Sequence, residues 1–210
     1  MIFTVAIDGP AAAGKGTIAK AIAQEFGFAQ LDTGLLYRAV GKAALERGQG
    51  VITPETAVEI AKQLQPEDLT GQDLRTPRVA QAASKVAALA EVREALVTFQ
   101  RTFARRPGGA VLDGRDIATV ICPNAEVKLF VTATLKIRAQ RRFDELTAKG
   151  LDVEFDQVLL EINARDKRDA TREFAPLIAA PAALELDTSE LTIEAAIGAA
   201  IAETQRKLAN

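Results

Sequence analysis

Residues 2–17, IFTVAIDGPAAAGKGT, leave a chain little freedom in what it can build. Phe3, Val5 and Ile7 make an apolar run that ends in Asp8. Gly9, Pro10, Ala11, Ala12, Ala13 and Gly14 follow, and Lys15, Gly16 and Thr17 open a helical pattern. The order is buried strand, glycine-bounded loop, helix N-terminus. Such a loop turns successive backbone N–H groups toward one point. The helix end adds partial positive charge, and a lysine adds a full one. That suits a polyphosphate, and Gly9, four residues, Gly14 and Lys15 fit the P-loop spacing. The usual hydroxyl directly after the lysine is displaced by one position: Gly16 intervenes before Thr17. An ordinary Gly/Ala-rich turn has the same composition, but the flanking strand and helix favour a phosphate cradle.

Downstream, short apolar runs alternate with helical patterns. The runs are Phe28 to Leu31, Ala110 to Leu112, Val127 to Val131 and Leu184 to Leu186. Between them, Thr53-Pro54 and Thr76-Pro77 are cap-plus-proline helix starts, and Val79, Ala82, Ala83 and Val86 mark a small-residue helical face. Helices are also expected over about 135–149 and 155–172, and a last one after Thr192. Residues 66–75 carry turn residues and no strong period. Alternating strands and helices predict an α/β fold, an open parallel sheet flanked by helices. Ligands of such sheets sit beyond the carboxyl ends of the strands. Here the strand ends are Asp8, Asp32, Asp113 and Asp187.

At 210 residues the chain is expected to be one domain, or a domain with a small insert. Lys plus Arg number 26 and Asp plus Glu 28, so the basic excess of a wide nucleic-acid surface is missing. With 0 His, His-based triads and His-ligated zinc are excluded. Chemistry must use carboxylates, cations, hydroxyls or a metal on oxygen ligands. The single Cys122 excludes an internal disulfide and fits a reducing compartment. No apolar run approaches the roughly 20 residues of a membrane helix, and no signal peptide is visible. A cytoplasmic monomer is expected, with no nucleic-acid and no membrane partner.

Four further groups could carry chemistry. In Asp113-Gly114-Arg115-Asp116, an aspartate at a strand end is placed to hold magnesium, directly or through water, and Arg115 could clamp a transferring phosphoryl group. A polar turn with a local ion pair is the plain alternative. Arg165, Arg168, Asp169 and Arg172 fall at offsets 0, 3, 4 and 7, on one helical face. Either an anion neutralises these arginines or the face is solvated and balanced by neighbouring acids. On the preceding helix, Arg138, Arg141 and Arg142 could close over a nucleotide as half of a mobile lid. The basic residues of that helix could instead complement its dipole. At the second strand end, Asp32-Thr33-Gly34 with Arg38 offers a hydroxyl, helix N–H groups and a cation, or simply a helix cap.

Taken together, DGPAAAGKGT, LDTGLLYR, LRTPRVA, LDGRDIATVICPNA, RAQRR and INARDKRDATREFAPL, in this order, resemble the bacterial cytidylate kinases. The resemblance covers nearly the whole chain. It implies a P-loop nucleoside monophosphate kinase fold with core segments about 1–50 and 107–210, a nucleotide-binding insert about 51–106 and a helical lid about 138–165. It implies the reaction of ATP with CMP or dCMP, with Mg2+, to give ADP and the diphosphate. Carried across by position, Gly9 to Thr17 would hold the ATP phosphates, with Arg141 and Arg142 belonging to the lid. Arg38, Arg115 and Arg172 would contact the acceptor phosphate. Thr33, Arg75 and Asp116 would read the cytosine, and Arg165 and Asp169 would hold the sugar. Lys15, Arg115, Arg172 and Asp113 would be the catalytic set, with Asp113 and Thr17 nearest the metal. Thr33 stands where the family usually has Ser. The segment between Lys62 and Arg75 is shorter than the family's usual insert and lacks its strand-like runs.

Overall fold

In the computed structural model, which describes residues 1–209, the apolar runs become strands of one sheet. They are β1 (Thr4–Asp8), β2 (Ala29–Asp32), β3 (Ala110–Gly114), β4 (Val127–Thr132) and β5 (Leu184–Asp187), in spatial order β2-β3-β1-β4-β5. β1 runs parallel to both β3 and β4, and β4 to β5. The helices are α1 (Lys15–Phe26), α2 (Gly34–Arg47), α3 (Pro54–Gln63), α4 (Pro77–Val86), α5 (Ala90–Ala104), α6 (Leu135–Ala148), α7 (Phe155–Thr171) and α8 (Ile193–Leu208). This is the expected α/β architecture, an open parallel sheet flanked by helices. No helix among the described residues is long and apolar enough to cross a membrane.

The chain forms two compact units, Asp32–Phe103 and the remainder on either side of it. In the larger unit β1 and β3 are buried along their whole length. Val5, Ile7, Val111, Leu129 and Val131 share a core with Ile18 and Ile22 of α1 and with Ala196 and Ala200 of α8. Fully burying a side chain such as Ile22 contributes about 1.5–3 kcal/mol. α1 stops at Gly27, whose left-handed backbone (φ 66°) lets its N–H reach back to Ala23. β2 starts one residue later than its apolar run, because Phe28 turns into the core. Its ring lies 5.6 Å from Phe3 and 5.5 Å from Phe26.

The smaller unit is helical. Thr53 and Thr76 cap α3 and α4 as the cap-plus-proline signals predict. The small-residue face of α4 packs on α2 so closely that a Cβ on Gly41 would lie 2.8 Å from Ala83 N. Residues 66–75 form two 3-10 turns, Pro66–Thr70 and Gln72–Arg75, with Leu74 buried.

Candidate active site

The loop between β1 and α1 is shaped by close approach. Gly9 has φ 147°, and a Cβ there would lie 1.9 Å from Val131 O. Gly14 caps α1 in the left-handed region, φ 96°. Among the described residues no side chain caps this helix, and no acid stands in its first turn. The end of α1 therefore offers backbone N–H groups and partial positive charge without an anion of its own. Lys15 is buried, and its Nζ donates to Pro10 O at 2.7 Å, so the loop holds the ammonium over itself.

Beside it, β3 ends in Asp113 and Gly114, paired with Ile7 and Asp8 of β1. Asp113 is buried. Asp8 accepts hydrogen bonds from the N–H groups of Ile117 and Ala118, both at 2.8 Å. Burial pushes its carboxyl up to about 6, against those two donors; Asp116 adds to the rise and Lys15 opposes it.

Arg115 and Asp116 project from this corner into a buried charge cluster. Arg115 Nε donates to Asp169 Oδ2 at 3.0 Å, Arg165 Nε lies 3.9 Å from the same oxygen, and Arg172 Nη2 lies 3.9 Å from Asp116 Oδ1. Burial works against the ionised Asp169. Arg115, Arg165 and Arg172 outweigh it and hold the carboxyl below its ordinary range. The cluster differs from a simple helical face in two ways. Arg168 is exposed, and α7 ends at Thr171, so Arg172 reaches in from an extended residue beyond it. Arg172 Nε is fixed by donating to Ala175 O at 2.5 Å.

α6 leans on the same loop. Arg138 is buried, and its guanidinium donates to Ala133 O at 2.8 Å, Ala11 O at 3.2 Å and Asp166 Oδ2 at 2.6 Å. Arg141 donates to Thr188 Oγ1 at 2.9 Å and Thr188 O at 2.7 Å, and Thr188 Oγ1 also lies 3.1 Å from Ala13 O. Arg142 pairs with Glu145. Between Gly14, Thr17, Arg141, Thr188, Leu191 and Ile193 opens a cavity of 360 Å³, within the size range of small-molecule pockets.

In the smaller unit, Thr33 is buried at the start of α2. Arg38 donates to Leu74 O at 2.9 Å, and Arg75 Nη2 lies 3.2 Å from Asp32 Oδ2.

Residues 5–206 match the family model described as cytidylate kinase. The chain belongs to the cytidylate kinase family. Relatives named cytidylate kinase include that of Cereibacter sphaeroides (strain KD131), 60% identical over 201 residues that cover 96% of this chain and 94% of the relative. Another, from Paramagnetospirillum magneticum (strain AMB-1), is 53% identical over 200 residues, covering 94% and 95%. Among solved structures, an uncharacterized protein from Eubacterium ventriosum superposes with a TM-score of 0.58 over 98% of this chain and 99% of its own, at 16% identity, which speaks to the fold.

In this cytidylate kinase family member, the contacts of Asp8, Thr188 and Leu191 were not expected from the sequence, and Arg138 was expected only as a cation of a mobile lid. Asp8 looked only like a strand terminus. Its one signal was a carboxylate closing a strand that is apolar on both faces. Arg138 was one of several basic residues on a helix, and its burial depends on where Asp166 arrives from α7. Thr188 and Leu191 lie in a stretch that carries no motif.

Proposed function

We propose that this kinase transfers the γ-phosphoryl group of ATP to CMP or dCMP, giving ADP and CDP or dCDP. The observation that carries the reading is the placement of the Gly9–Thr17 loop and the Arg115–Asp116 segment at the carboxyl ends of neighbouring strands, β1 and β3. One is built for a polyphosphate donor. The other carries arginines for an acceptor phosphate and a carboxylate for a base.

On the donor side, residues Gly9, Pro10, Ala11, Ala12, Ala13, Gly14, Lys15, Gly16 and Thr17 would hold the ATP phosphates. The cavity beside Gly14, Arg141 and Leu191 would take the nucleoside, with Arg142 nearby on the lid. Lys15 exchanges Pro10 O for a phosphate oxygen and neutralises charge that develops on the transferring group. On the acceptor side, Arg115 and Arg172 hold the CMP phosphate, with Arg38 of the smaller unit assigned to the same phosphate. Arg165 and Asp169 take the sugar hydroxyls, and Thr33, Arg75 and Asp116 the cytosine. A carboxylate can accept from the exocyclic amine of cytosine, whereas uracil presents a carbonyl there. Leaving that buried group unmatched costs about 1–3 kcal/mol.

Magnesium fits this donor set. Mg2+ commonly uses one or two carboxylates plus phosphates and keeps several waters, which asks for Asp113 and Thr17 rather than a cage of acids. When bound, the ion would neutralise charge on the phosphates. The protein's own part is to align an acceptor oxygen with the γ-phosphorus and exclude water, without a covalent enzyme intermediate. Function as a monomer in the cytoplasm belongs to the same proposal.

A coupled ADP-release assay with CMP, dCMP, UMP and other monophosphates tests it. Turnover should be greatest with CMP or dCMP. Preference for UMP would overturn the assignment of Asp116, and no turnover with any acceptor would overturn the kinase reading.

A further inference from the structure

A loop that cradles phosphates must turn its N–H groups inward. In a trans peptide each N–H points opposite to the carbonyl of the residue before it, and no peptide bond among the described residues is cis. Whatever holds the outward carbonyls of the loop therefore aims its inward N–H groups. Lys15 Nζ holds Pro10 O at 2.7 Å. Two further holds come from far along the chain. Arg138 Nη1 donates to Ala11 O at 3.2 Å, and Thr188 Oγ1 reaches Ala13 O at 3.1 Å. Thr132 O, 3.0 Å from the same hydroxyl, already receives the Thr188 N–H at 2.8 Å. Both holds lead back to α6, because Arg141 donates to the Thr188 hydroxyl at 2.9 Å. Between the two held carbonyls stands Ala12, with φ 58°. That left-handed backbone is rare for a residue with a Cβ and persists where the surroundings enforce it. The Ala12 side chain packs against Ala139, Leu146, Val158 and Ile162, the apolar cluster of α6 and α7.

We propose that Arg138 is a positioning residue for the phosphate donor: by gripping the Ala11 carbonyl it aims the Ala12 N–H of the same peptide at the donor phosphates. This rests on the reading that the Gly9–Thr17 loop holds those phosphates. Arg138 is only 5% exposed. Its Nε donates to Ala133 O at 2.8 Å, just beyond β4, and its Nη2 to Asp166 Oδ2 at 2.6 Å, on α7. A planar guanidinium held at two corners presents the third in one fixed direction. A lid cation has to travel to its nucleotide, whereas Arg138 grips the loop from a point locked between β4, α6 and α7.

Arg138→Lys keeps a cation for Asp166, whose Oδ1 is buried without a hydrogen bond. One ammonium nitrogen cannot stand where three guanidinium nitrogens did, so the grip on Ala11 O should be lost. Calorimetric titration of the whole chain should show the Kd for ATP raised about tenfold, the order set by one hydrogen bond to a charged group. The Kd for CMP should change little. Amide spectra add a readout that stability alone does not move. Adding ATP to the wild type should shift the Ala12 and Gly14 amide resonances; in Arg138→Lys saturated with ATP, the Ala12 shift should be much reduced and the Gly14 shift kept. Wild-type affinity for ATP in the folded variant, or an equal loss for ATP and CMP, would overturn the positioning role alone. If ATP leaves both amides of the wild type unmoved, the reading of the loop beneath it fails too. Should Arg138→Lys not fold, the double variant Arg138→Met, Asp166→Leu removes the grip and the stranded charge together. The same selective loss of ATP affinity should appear there, and wild-type affinity would refute the proposal.

Discussion

Replacing Asp169 with Asn asks whether the arginine cluster is a buried network or a solvated face. Asp169 Oδ2 lies 3.0 Å from Arg115 Nε and 3.9 Å from Arg165 Nε, and its side chain is 8% exposed. Removing the anion from a buried ionic network costs about 3–5 kcal/mol, because the cations stay desolvated without compensation. The asparagine oxygen can still accept from Arg115, which recovers about 1 kcal/mol. The net loss is therefore about 2–4 kcal/mol. In a chain of this size each kcal/mol moves the melting temperature by about 2–4 °C, so scanning calorimetry should show a drop of about 4–16 °C. If the two units melt separately, the transition of the unit holding Asp169 should move. The pH dependence has a definite sign. The folded carboxyl titrates below its unfolded value, so its contribution is complete above about pH 4 and lost only as pH falls through the folded value. The gap between wild type and variant should be the same at about pH 7 and about pH 5 and close at lower pH. A variant melting within about 1 °C of wild type at neutral pH would refute the buried network. A gap that closes between pH 7 and 5 would assign the effect to another group.

Two further outcomes follow from the loop. Lys15→Ala should lower kcat by about 100-fold or more, as loss of one preorganised charge-stabilising donor does, with the thermal melt little changed; activity near wild type would end the P-loop argument. Gly9→Ala places a Cβ 1.9 Å from Val131 O, which requires β4 to move, so the variant should lose more than about 3 kcal/mol in a denaturant melt or fail to accumulate as folded protein; near-wild-type stability would refute the close approach.

Much of the fold could be read in order along the chain because its determinants are local. The apolar runs closed by Asp8 and Asp113 became β1, which ends at Asp8, and β3, which runs one residue further to Gly114. Thr53-Pro54 and Thr76-Pro77 began α3 and α4, since a hydroxyl acceptor and a preset φ act within one turn. The boundaries that moved did so for non-local reasons. Phe28 left its strand to join Phe3 and Phe26. Arg172 left its helix because the chain extends after Thr171 and anchors on Ala175 O.

The sequence alone determined the loop between β1 and α1, because Gly9, Gly14 and Lys15 act through backbone geometry and charge within a few residues of each other. It also singled out, by residue type and order, the segments proposed to carry acceptor chemistry. Only the tertiary structure decided which charges compensate which. Asp169 gathers Arg115 from 54 residues away, and Asp8 caps a turn 109 residues downstream. Burial sets the worth of each pair, and burial is a property of the packed chain that no local pattern records.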